Sequence, residues 1–175
     1  MLGTDRGGRR GRIAVVALVA LVTAVAPGAS AEAPLTPERR DDIVQARQLL
    51  MDAVEERVTA LDGLAAGGTG PLKDLTERAY LISTLIAAFP HLFPDGTRPD
   101  QIGPDGTATN ALPSVWARYD AFYDLARTAS AAALEASQAK DQAGVAKGAR
   151  ALRQACDGCH AGFMGSTGQP SVPQK

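Results

Sequence analysis

The sequence predicts an all-α protein: an antiparallel four-helix bundle with a long crossover loop between helices 2 and 3. Three observations carry this. Four stretches repeat apolar residues every three or four positions, β-branched runs are almost absent after residue 30, and no segment alternates apolar and polar residues between hairpin turns. Ala, Leu, Gln, Arg and Glu dominate instead, all good helix formers. A chain of 175 residues suits a single domain.

The first helix is announced by "LTPERRDD". Thr36 is placed to cap it, Pro37 suits the first helical position, and Glu38, Asp41 and Asp42 complement the positive helix end. Ile43, Arg47, Leu50, Val54, Val58 and Leu61 share one face, and Gly63 with "AAGGTGP" is expected to end it. The second helix begins near Pro71, carries Leu72, Leu75, Ala79, Ile82, Ile86 and Phe89 on its face, and stops at Pro90. Then comes "PHLFPDGTRPDQIGPDGTATNALP", dense in turn residues and without a period, the expected crossover. The third helix starts around Leu112 to Ser114, with Trp116, Tyr119 and Tyr123 on one face and Val115, Phe122 and Leu125 on its neighbour. The fourth has Asp141 as its cap, a face of Val145, Ala149, Leu152, Cys156 and Cys159, and an end near Gly162; residues 165–175 read as a frayed tail.

Residues 1–31 stand apart. Arg6, Arg9, Arg10 and Arg12 precede the apolar run "IAVVALVALVTAV", which Pro27 and Gly28 break before a small-residue "ASA". This is the pattern of a cleavable export signal, too short and wrongly flanked for a membrane anchor of the mature protein, and it predicts a periplasmic domain over residues 32–175. Residues 1–31 hold four Arg and one Asp of the chain's 18 basic and 19 acidic residues, which leaves the remainder a net charge near −4. Mild, dispersed acidity of this kind argues against a nucleic-acid partner.

The chemistry gathers at "ACDGCHAGF". Cys156, Cys159 and His160 use both cysteines of the chain and one of its two histidines. In an exported protein C-x-x-C-H is the attachment signature of a c-type haem. On a helix, residues three apart share a face, so two thiols there can form thioethers with the two vinyl groups of one haem c. The adjacent imidazole can then bind the iron. Other readings of the motif are weaker. A thioredoxin-like redox pair belongs in a βαβ setting, which is missing. A disulfide between Cys156 and Cys159 would close a very small loop. Zinc would require a fourth ligand; His91, the other histidine, lies in the crossover as a surface residue, and ligand count alone leaves zinc open. No base or nucleophile accompanies the motif, so the chain is not read as an enzyme.

The order of these features resembles the cytochrome c′ family. The resemblance rests on "RQLLM" at Arg47–Met51, "FPHLFPDGT" in the crossover, "ALPSVWARYDAF" at Ala111–Phe122 and "CDGCHAGF" at Cys156–Phe163, in that order with the haem motif last. It implies His160 as one axial ligand and Met51 at the sixth position. A ligating Met51 would make a low-spin electron carrier, while a non-ligating residue would leave a high-spin iron that binds nitric oxide or carbon monoxide. It also implies that Arg47, assisted by Gln48, pairs with a haem propionate, that Phe163 packs near the imidazole, and that the protein forms homodimers through its first two helices. Trp116, Tyr119 and Phe122 are expected as core or haem-edge packing. In one respect the chain departs from the pattern: the family carries a basic residue four positions after the haem histidine, where this chain has Met164. The sequence does not identify a redox partner.

Overall fold

A computed structural model of the chain describes residues 34–165; the expected export signal and residues 166–175 lie outside the described residues. The described residues form five α-helices: α1 (Pro37–Ala65), α2 (Leu72–Ala88), α3 (Ser114–Ala117), α4 (Tyr119–Ser137) and α5 (Gln142–Phe163). The long ones, α1, α2, α4 and α5, pack as the expected antiparallel four-helix bundle, with α1 against α2, α2 against α4, α4 against α5 and α5 against α1.

Both predicted caps are present. Thr36 Oγ1 accepts from Arg39 N–H at 3.3 Å, and Asp141 Oδ1 accepts from Gly144 N–H at 2.8 Å. Three boundaries differ from expectation. Helix α1 runs past Gly63 to Ala65 because Leu64 still finds the core; the left-handed residue that ends it is Gly67, at φ 98°. The expected third helix is two pieces. Arg118, at φ −133° and ψ 45°, separates α3 from α4. The crossover, expected without regular structure, holds three short 3₁₀ turns at Phe89–Leu92, Asp95–Thr97 and Pro99–Gln101. Helix α1 holds this segment down: Arg40 Nε donates to Gly96 O at 2.7 Å, and Asp41 Oδ1 accepts from Thr107 N–H at 2.9 Å.

The interior has two parts. An aliphatic and alanine-rich core, including Val58, Leu61, Ile82, Ala133, Val145 and Leu152, fills one end of the bundle. An aromatic cluster of Phe93, Phe122 and Phe163, with Val115, fills the other. Small residues let α4 and α5 approach closely in the aliphatic part: a Cβ added at Gly148 would stand 2.6 Å from Ala136 Cβ and 2.9 Å from its Cα. Replacing Gly148 by Ala should therefore destabilise the protein by up to about 2 kcal/mol, the overpacking cost less the gain in helix propensity. Denaturant unfolding checks this, and unchanged or increased stability would contradict the packing.

Candidate haem site

Between the two cores lies a cavity of about 410 Å³, within the ~300–1,000 Å³ range of small-molecule and cofactor sites. Its wall is mostly apolar, with Val54, Val58, Ile86 and Leu125 among the aliphatic residues. Cys156, Cys159 and His160 line it from α5, Met51 and Arg47 from α1, and Ala111 from the end of the crossover.

One turn of α5 bridges the seam. Cys156 packs against the aliphatic core and Cys159 against the aromatic cluster. Both are half-buried free thiols. Burial pushes both thiols up, Cys159 to about 11 with the neighbouring Cys156 as a smaller cause; at Cys156 the charge of Arg153 opposes the shift. Each is thus a neutral thiol at physiological pH. Arg153 pairs with Asp62 on α1, which ties α5 to α1 one turn before Cys156 and raises the pKa of Arg153 through that hydrogen bond.

Arg47 is only 4% exposed, in the middle of the amphipathic face of α1. Its Nε donates to Leu92 O at 2.6 Å, and Nη2 donates to Thr97 Oγ1, which itself donates to Pro94 O at 2.8 Å. Its guanidinium carbon lies 4.0 Å from the centroid of Phe93 and 5.5 Å from that of Trp116. Burial lowers the pKa of Arg47 to about 10, so it stays charged at neutral pH. Nη1 is buried and has no hydrogen-bond partner among the described residues. A buried cation with one orphan donor on a cavity wall calls for an anion there.

The other expected residues distribute as follows. Gln48 also lines the cavity, with Nε2 donating to Ala108 O at 2.9 Å. Met51 is half-buried and packs against the aliphatic core. Phe122 and Phe163 are buried on the cavity wall, with ring centroids 5.4 Å apart. Trp116 and Tyr119 hold the crossover, donating to Phe93 O at 3.0 Å and Pro90 O at 3.0 Å. His91 is exposed beside Tyr123, away from the cavity. Among the described residues no group of three or more His, Cys, Asp and Glu is placed to hold a metal ion. Met164 lies at the end of α5, bridged to Ala111, with Leu112 N–H donating to Phe163 O at 2.9 Å and Gly165 N–H to Asn110 O at 2.8 Å. Thr97 and Arg118, which the structure places around this site, lie within the stretches Phe89–Thr97 and Ala111–Phe122 but were given no role by the sequence.

The residues fit a haem. The wall is apolar, two free thiols sit one helical turn apart, an imidazole follows, and an orphaned buried cation faces the need for a carboxylate. A helical bundle that carries the thiols and imidazole on its last helix and the cation on its first, around one apolar cavity, defines a haem-binding cytochrome. The comparisons agree. The family model described as cytochrome C′ matches residues 42–164. A cytochrome c′ of Pararhodospirillum photometricum is 30% identical over 124 residues, covering 69% of this chain and 94% of that protein. The crystal structure of cytochrome c′ from Rubrivivax gelatinosus superposes with a TM-score of 0.62 at 26% identity, covering 71% of this chain and 96% of the other. The nitric oxide complex of a mutant cytochrome c prime from Alcaligenes xylosoxidans shares the fold, with a TM-score of 0.61 at 16% identity over 75% of this chain and 98% of that one. The chain belongs to the cytochrome c′ family, whose members are haem c cytochromes.

Thr97 is completely buried and its hydroxyl serves both Arg47 and Pro94 O. Thr97→Val should cost about 1–3 kcal/mol by stranding both partners. Guanidinium unfolding measures this, and a loss below about 0.5 kcal/mol would show that the hydroxyl does not hold Arg47.

Proposed function

We propose that this protein is a periplasmic one-electron carrier with a single covalent haem c. The observation that carries the reading is the shared cavity: both thiols of α5, the imidazole beside them and the thioether of Met51 on α1 line the same apolar space. Cys156 and Cys159 would hold the haem through thioethers, each S–H adding across a vinyl group with no atom lost. His160 would hold the iron through a ring nitrogen. Arg47 would pair its free Nη1 with a haem propionate, assisted by Gln48 on the same cavity wall. When bound, the haem supplies an iron that cycles between Fe(III) and Fe(II). The protein's own part is to keep that iron in a dry wall of fixed shape, so that little rearranges when the charge changes.

Met51 would supply the sixth ligand in this reading. A Met and His axial pair raises the reduction potential. No helix among the described residues is long and apolar enough to cross a membrane, which suits a carrier released by cleavage of residues 1–31. Its redox partner is another protein of the same compartment, and the carrier performs no enzymatic conversion of its own.

The aliphatic wall near Met51 favours a second reading. Val54, Val58 and Ile86 would make a dry pocket for nitric oxide or carbon monoxide if Met51 did not ligate, and a relative of the same fold is known as a nitric oxide complex. Ferric and ferrous spectra of the wild type and Met51→Leu separate the two. Ligation predicts a low-spin ferric spectrum with the weak red band of a sulfur–iron bond. Met51→Leu should abolish that band and let carbon monoxide bind faster. A high-spin spectrum left unchanged by Met51→Leu would overturn the carrier reading in favour of gas binding.

A further inference from the structure

We infer that Arg118 is a positioning residue of the iron site: it holds an unpaired positive charge against the last turn of α5 and so raises the reduction potential. The inference rests on the haem reading above.

Arg118 occupies the break between α3 and α4. Its N–H donates to Ser114 O at 2.9 Å, and its own carbonyl accepts from Phe122 N–H at 3.1 Å. This geometry turns two side chains onto one acceptor near the end of α5. Ser114 Oγ donates to Gly162 O at 2.8 Å, and Arg118 Nη2 donates to the same oxygen at 3.2 Å. The guanidinium carbon also stands 4.9 Å from the ring centroid of Phe163, a residue of the cavity wall. Gly162 and Phe163 are the second and third residues after His160.

Ser114 alone satisfies the Gly162 carbonyl, so the second donor is not required to pair a buried acceptor. What Arg118 adds is charge. It takes part in none of the ion pairs found among the described residues. Its charge therefore sits unneutralised at the negative end of the α5 dipole, beside the turn that carries His160. A fixed cation there favours the iron state with one fewer positive charge, Fe(II). Because Arg118 is exposed, water and salt weaken the effect without abolishing it.

The test is the midpoint potential of the haem-loaded protein at low and high salt, for wild type, Arg118→Gln, Arg118→Lys and Ser114→Ala. A haemochrome spectrum taken first shows that the haem is attached. Arg118→Gln should lower the ferrous-to-ferric ratio at fixed poise about twofold, or about 18 mV at 59 mV per decade. The difference should shrink as salt is raised. Arg118→Lys keeps the charge and should hold the wild-type potential, and so should Ser114→Ala, which removes a bond to the same carbonyl without removing charge. The inference is overturned if Arg118→Gln matches wild type, or if Ser114→Ala shifts the potential as far. Should Arg118→Gln not accumulate, Arg118→Lys decides alone: an unchanged, salt-sensitive potential supports the inference and a fallen one overturns it. Wild type without covalent haem would overturn both this inference and the haem reading, whereas attached haem with an unmoved potential overturns this inference only.

Discussion

The structure depends on one constraint: a single turn of α5 has to present two thiols and an imidazole to the same cavity. Residues three apart on a helix meet that requirement only if the helix is straight and one face of it is buried. The buried face is built from Val145, Ala149 and Leu152 before the motif and Phe163 after it, so α5 is anchored in both cores with the motif between them. Cys156 on the aliphatic side and Cys159 on the aromatic side mark the seam where the four helices stop packing on one another and enclose the cavity. The tie from Arg153 to Asp62 fixes α5 against α1 at this level, and α1 carries Met51 and Arg47.

The second demand is electrostatic. A cavity with so much apolar surface has few places for a charged group, and the chain puts its charge there through Arg47. Burying a guanidinium is costly unless its donors are paired. Here the crossover pairs two of them, through Leu92 O and Thr97 Oγ1, and the ring of Phe93 covers its face. The same bonds explain why a segment rich in Pro and Gly is ordered at all. Helix α1 supplies the donors and acceptors, with Arg40, Asp41, Arg47 and Gln48 each bonded to crossover atoms. Site and loop are therefore one unit: what anchors the crossover also aims the one free nitrogen of Arg47.

Local signals made much of this legible in the sequence. The caps at Thr36 and Asp141, the apolar faces of the long helices and the C-x-x-C-H spacing each depend on residues within a turn or two of one another. What escaped depends on distant partners. Two of the 3₁₀ turns of the crossover are held by bonds to α1 from residues 45 to 56 positions away, and its turn residues do not show which of them will bond to that helix. The break at Arg118 lies between helix-compatible residues, and its geometry is coupled to the Gly162 carbonyl on another helix. Gly63 read as a stop because glycine is a poor helix former, yet Leu64 carries α1 on by burying its side chain. At the site, the position of Arg47 was readable as a charge on an apolar face, while the atoms that share it, Leu92 O and Thr97 Oγ1, were not.

The central claim is that the two α5 sulfurs are both bonded to one haem. The intact mass of the denatured protein, purified from cells that attach haem to exported proteins, tests it directly. The account predicts the polypeptide from Glu32 to Lys175 plus the mass of one haem, with no hydrogen lost. The mass of the bare polypeptide, or that mass less two hydrogens from a disulfide, would contradict it.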